Sequence, residues 1–130
     1  MSDCPFCQII DVQSDRIAAQ NEHAIAIRDG FPVTEGHTLI IPKTHESSFF
    51  NLTDAVQTAL LGLLSQQREL LSEQFGVKDF NVGINDGPDA GQTVPHCHIH
   101  LIPRKSGDVT DPRGGVRWVV PNKADYWSKR

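Results

Sequence analysis

The sequence predicts an α+β domain: an antiparallel sheet of about five strands covered by one long helix, with a short helix near the N-terminus. Three observations predict it. Short β-rich runs precede and follow a single extended amphipathic run, and the connections between them are brief. That run, residues 53–75, keeps Val56, Leu60, Leu63, Leu64, Leu71 and Phe75 on one 3.6-residue stripe. Near the C-terminal end, His96-Cys97-His98-Ile99-His100 alternates imidazoles with small or apolar residues at a period of two, the pattern of a strand with two unlike faces.

In chain order, Pro5 is a natural first helical residue, and 6–10 can complete a short helix. Residues 17–20 and 24–28 read as strands joined by the turn Asn21-Glu22-His23. Gly and Pro mark 29–36 as a loop, which delivers the strand 37–41, stopped by Pro42. The long helix has Thr53 as its N-cap and Gly76 just past its end. A strand at 80–84 and a flexible turn at 86–92 lead into the histidine strand, about 93–103. Beyond Arg104 the pattern weakens to a loop at 111–115 and a possible last strand at 116–120.

At 130 residues the chain is expected to form a single domain, 1–130, with a C-terminal extension from about residue 105. Its hydrophobic share of 38% and charged share of 22% are those of a soluble globular protein. The formal net charge of -4, with signs mixed along the chain, argues against a nucleic-acid polymer as partner but leaves room for a nucleotide pocket. No apolar run approaches the roughly 20 residues that span a bilayer, and Met1-Ser2-Asp3-Cys4 lacks a signal-peptide pattern. A cytoplasmic protein with no membrane partner is the expectation.

The histidine row demands a chemical explanation, because each imidazole must satisfy two ring nitrogens and packing has no use for three in a row. Imidazoles bind metal, attack phosphorus and donate protons. An odd count of three cysteines argues against a disulfide framework. Cys4 and Cys7 form a Cys-x-x-Cys pair; lying at the chain start rather than between a strand and a helix, it reads as metal-binding before redox-active.

Those residues resemble the histidine triad (HIT) family, whose signature is His-φ-His-φ-His-φ-φ with φ apolar; here it reads His96 to Ile102. Gly36-His37-Thr38-Leu39-Ile40-Ile41-Pro42 is similar to the family's other recognisable strand, and Asp86 to Val94 looks closest to the diadenosine polyphosphate hydrolase (Fhit-like) branch. Cys4-Pro5-Phe6-Cys7 resembles zinc-containing bacterial members. The likeness spans about 4–104, and Cys97 is smaller than the residue usual there.

The resemblance implies a nucleotide hydrolase or transferase, usually a homodimer, that cleaves at an α-phosphate through a nucleotidyl-histidine intermediate. It makes His98 the nucleophile and His100 a phosphate contact, with His96 completing the catalytic row. It places Asp29 on the ribose hydroxyls, Asn85, Gln92 and Thr93 on the phosphates or leaving group, and His37 behind the row as support. By similarity to zinc-bearing relatives, Cys4, Cys7, His45 and His96 would hold a structural Zn2+ in a closed shell with no position for substrate. Diadenosine polyphosphates are the substrate class the branch suggests, and nucleoside phosphoramidates the close alternative. Two other classes stay open: a metal-dependent hydrolase or oxygenase with His96, His98 and His100 as ligands, and a nucleotide-binding regulatory protein with little turnover. The C-terminal aromatics Trp118, Tyr126 and Trp127 can cover the core, make a dimer contact or shape the leaving-group side.

Overall fold

The computed structural model describes residues 3–129. Helix α1 (Pro5–Asp11) is followed by strands β1 (Ile17–Gln20), β2 (Ala24–Arg28) and β3 (Thr38–Pro42), helix α2 (Asp54–Phe75), and strands β4 (Asp79–Ile84) and β5 (Ile99–Arg104). The five strands form one antiparallel sheet in the order β1-β2-β3-β5-β4. The expected architecture is therefore present: five strands, one long helix and a short N-terminal helix.

Local chemistry explains the helix bounds. The Thr53 side chain accepts from the Val56 N–H at the start of α2, and Gly76 closes it at φ 66° in the left-handed region. The buried stripe of α2 is Leu60, Leu63, Gln67 and Leu71. Gln67 belongs there because its amide oxygen accepts from Arg28 Nη1 at 2.7 Å, satisfying a guanidinium that reaches under the helix and also donates to Thr38 Oγ1.

The two faces of the sheet are covered differently. On one, α2 packs through Leu60 and Leu63 against Ala24, Ala26, Ile40, Cys97 and Ile99. On the other, α1 lays Phe6 and Ile9 against Ile25, Ile27, Leu39 and Ile41. Alternation along the chain sends Cys97 and Ile99 to the α2 side and the histidines to the α1 side, as the period of two predicts.

Two expected strands are corrected. Of the histidine strand expected at 93–103, only Ile99–Arg104 is paired in the sheet. Upstream, the His96 N–H donates to Val94 O and the Cys97 N–H to Glu46 O, so the backbone is held by loop partners. The possible strand at 116–120 is instead a 3-10 turn, Gly115–Val119. Gly114 and Gly115 both take positive φ, at 93° and 47°, and the Trp118 indole N–H donates to Arg113 O, curling the segment.

Candidate functional site

Backbone atoms set the state of each imidazole. A carbonyl oxygen can only accept, so His98 Nδ1, 2.9 Å from the His96 carbonyl, carries the proton. His98 Nε2 is left with its lone pair. By the same reasoning His96 Nε2 donates to Pro42 O at 2.8 Å, leaving Nδ1 as the lone-pair nitrogen. The Phe6 ring meets both edge-on, with centroids 5.7 Å from His96 and 5.1 Å from His98. It packs against the row from the α1 side.

His37 immediately precedes β3, the strand beside the row. Its Nδ1 accepts the Val33 N–H at 3.0 Å, which forces the proton onto Nε2. His37 Nε2 then donates to His100 Nδ1 at 2.9 Å, so His100 presents an Nε2–H. Burial lowers the pKa of His37 against the pull of Asp29. Burial, with His98 and His37 nearby, pushes His100 down to about 4. Both are neutral at pH 7, as the chain of donors requires. His37, expected as support for the row, thus touches His100 directly.

The other expected site residues fall in three places. Asp29 accepts the Phe31 N–H through Oδ1 and sets Oδ2 3.5 Å from His37 Nε2. Asn85 lines a cavity with His37 and His100. Gln92 is bonded within its own loop: Oε1 accepts from Gly87 N, and Nε2 donates to Ser47 O and Val94 O. Thr93 is exposed beside Cys4 and His45. Cys97 lies on the α2 face, its thiol pushed up to about 11 by burial and by Asp86 and Glu46, which suits packing rather than chemistry.

Cys4, Cys7, His45 and His96 converge at the other end of the row, each offering one ligand atom, all within 4.8 Å of one another. Cys4 Sγ lies 3.3 Å from His96 Nδ1; Cys7 Sγ lies 3.2 Å from His45 Nδ1 and 3.6 Å from His96 Nδ1; the two Nδ1 atoms are 3.2 Å apart. A tetrahedral zinc shell, with Zn–N near 2.0 Å and Zn–S near 2.3 Å, has ligand edges of about 3.3–3.8 Å. The four residues therefore fit a metal in donor type, in spacing and in the tautomer of His96. The groups supplied by Phe6, Pro42 O and Val33 N–H were not foreseen from sequence. Only Phe6 had a signal, as the apolar residue between the two cysteines.

A five-stranded sheet that carries alternate imidazoles beside a Cys2His2 cluster defines a class of α+β proteins built around a histidine row. The chain belongs to the HIT family: the HIT domain profile matches residues 11–107. A HIT family protein from Bacillus anthracis is similar in structure, with a TM-score of 0.77 and 38% identity over 82% of this chain and 77% of that one. A Zn-bound histidine triad family protein from Mycobacterium smegmatis gives a TM-score of 0.76 and 32% identity, over 84% and 80%. In sequence, the chain is 39% identical over 80 residues to an asymmetrical bis(5'-nucleosyl)-tetraphosphatase of Schizosaccharomyces pombe, covering 62% of this chain and 44% of the relative. The family thus includes nucleotide hydrolases.

Proposed function

We propose that the protein hydrolyses nucleotides at the α-phosphate through a covalent intermediate on His98. The observation that carries this is the pair of tautomers: a lone pair at His98 Nε2 beside a neutral N–H donor at His100 Nε2. In a substrate NMP–X, His98 Nε2 attacks phosphorus, the P–X bond breaks, and its electron pair leaves with X. His100 Nε2–H steadies a phosphoryl oxygen, and X takes its proton from solvent as it departs. Water next splits the His98–phosphorus bond, its hydroxyl going to phosphorus and its proton to solvent, so the sum is NMP–X and water giving NMP and HX. Asp29 holds the ribose hydroxyls, and Asn85 with Thr93 and the Gln92 loop orient the phosphate. Diadenosine polyphosphates and nucleoside phosphoramidates are the two substrate classes in view.

Cys4, Cys7, His45 and His96 would hold Zn2+, which when bound braces the backbone that carries His98. His96 donates from its other nitrogen to Pro42 O, so the site ties β3 to the row. Two features outside the site extend the reading. The edge position of β4 supports a homodimer, and the absence of any described helix long and apolar enough to cross a membrane accords with a cytoplasmic setting.

Intact-protein mass spectrometry under single turnover tests the mechanism, with diadenosine tetraphosphate and adenosine 5'-phosphoramidate as substrates. A transient adduct of nucleoside monophosphate mass is expected on the parent. It is absent from His98→Ala, which still binds AMP. Near-normal turnover by His98→Ala would overturn the assignment of the nucleophile. AMP binding by the parent without adduct or product would favour a regulatory protein.

A further inference from the structure

The Cys-x-x-Cys pair carries a second chemistry that metal binding alone does not use. Cys4 is the N-cap residue of α1 and Cys7 stands at its third helical position, with the Cys7 N–H donating to Cys4 Sγ at 3.4 Å. Residues three apart at a helix start stand about 5–6 Å apart at Cα, inside the range a disulfide spans. The two sulfurs already lie within 4.8 Å of each other. Closing that gap is a matter of side-chain rotation.

The four ligand positions are unequally exposed. Cys4 and His96 are buried, whereas Cys7 is half-buried and His45 exposed. A surface cavity lined by Cys4, Pro5, His45 and Thr93 opens on the cluster. A small oxidant arriving from solvent therefore meets Cys7 first, with Cys4 directly behind it. Bound zinc holds both sulfurs as thiolates, the form that peroxides oxidise. The third cysteine, Cys97, takes no part: it is buried on the α2 face of the sheet, with its thiol pushed up to about 11 and so protonated and unreactive.

What oxidation would undo follows from the position of the pair. Through a shared metal the two cysteines fasten α1 to His45, just past β3, and to His96 in the row. A Cys4–Cys7 disulfide joins α1 only to its own cap, and the two imidazoles left over fall short of the four ligands of a structural zinc shell. Helix α1 is seven residues long and otherwise packs through Phe6, Ile9 and Ile10. Phe6 is the residue that meets the rings of His96 and His98.

We propose that Cys4 and Cys7 form a peroxide-sensitive switch: oxidation to a Cys4–Cys7 disulfide releases the zinc ion and frees α1 from the histidine row. This rests on the reading of Cys4, Cys7, His45 and His96 as a zinc site. The Cys7 thiolate attacks one oxygen of hydrogen peroxide, the O–O bond breaks, and the departing hydroxide takes a proton from solvent to leave as water. The Cys4 thiolate then attacks the sulfur of the Cys7 sulfenic acid, the S–O bond breaks, and a second hydroxide is protonated by solvent. In sum, two thiolates, one peroxide and two protons give one disulfide and two waters, with two electrons passing from sulfur to peroxide.

The test treats the full-length protein, reconstituted with zinc, with hydrogen peroxide. Zinc release is followed with a chromogenic chelator, the disulfide by peptide mass mapping, and α1 by hydrogen exchange. One zinc ion per chain should leave as the peptide holding Cys4 and Cys7 loses two hydrogen atoms. The amides of α1 should then exchange about tenfold faster or more, with those of α2 unchanged. Reduction with a phosphine in the presence of zinc should restore the starting state, and Cys97→Ala should respond as the parent does. Three outcomes would each overturn the switch and leave the zinc site standing: zinc retained with both thiols still titratable, Cys7 converted to sulfinic acid without a disulfide, or α1 exchange unchanged in the disulfide form. A protein that takes up no zinc would overturn both.

Discussion

At the scale of single residues, four imidazoles owe their roles to three backbone groups: Val33 N–H, Pro42 O and His96 O. The side chains were legible from the spacing of the row, but the atoms that set their tautomers were not, because a carbonyl has no sequence signature. The arrangement has a consequence for pH. His100 is pushed from 6.5 down to about 4 in the folded protein, chiefly by burial, and burial lowers His37 as well. Above pH 6.5 the imidazole is neutral in both the folded and the unfolded chain, and it contributes no pH dependence. Below that, the unfolded chain binds a proton that folded His100 refuses, so stability falls as pH drops from about 6.5 towards 4. A shift of this size corresponds to roughly 2–3 kcal/mol once partial exposure is allowed for. His100→Gln keeps a neutral donor and removes the titration. Thermal unfolding between pH 7 and 4.5 should show a shallower decline for this variant than for the parent; parallel declines would contradict the assignment.

At the scale of elements, what periodicity encodes was readable and what distant partners impose was not. The stripe and caps of α2, and the strands β1, β2, β3 and β4, follow from local patterns and appear within a residue or two of expectation. The histidine strand begins late because Cys97 N–H pairs with Glu46 O, a residue 51 positions earlier in the chain. Gln67 looks like a gap in the helix stripe until Arg28 is seen beneath it. Residues 116–120 have strand composition, yet the glycines before them and the Trp118 bond to Arg113 O curl them. Helix α1 is a different case, too short at seven residues to persist on its own. It is held by Phe6 and Ile9, and by the convergence of Cys4 and Cys7 on His45 and His96. Cys4→Ser should therefore lower zinc content, measured by elemental analysis, and lower the Tm. The rate of the chemical step should change less, because a metal held by these four residues would brace the backbone that carries His98 and would not touch substrate. Equal zinc content in variant and parent would remove Cys4 from the ligand set.

At the scale of the whole molecule, the sheet separates a buried α2 face from a face shared by α1, the histidine row and the C-terminal segment. The sheet has one edge at β4, which pairs only with β5 among the described strands and so turns a row of backbone donors and acceptors outward. Beside that edge, a groove between α2 and β4 is lined by Leu64, Val82 and Leu101, with Arg68 and Glu69 on its rim. Leu61 adds exposed apolar surface on the same side of α2, and Val82 is itself exposed. An antiparallel edge of six residues next to an apolar helix face suits a second copy related by a two-fold axis, since the same patch then meets itself and arginine can meet glutamate. Such pairing would also satisfy the outward backbone groups of β4, the strand whose Gly83 pairs with His100. The expected outcome is that the parent sediments at the dimer mass. Val82→Asp places a charge at the centre of the contact and should shift the protein towards monomer by an order of magnitude or more in Kd. Its far-ultraviolet circular dichroism should be unchanged, because the side chain faces the groove and not the core. A parent that sediments as a monomer, or a Val82→Asp variant that dimerises as well as the parent, would remove β4 as the interface.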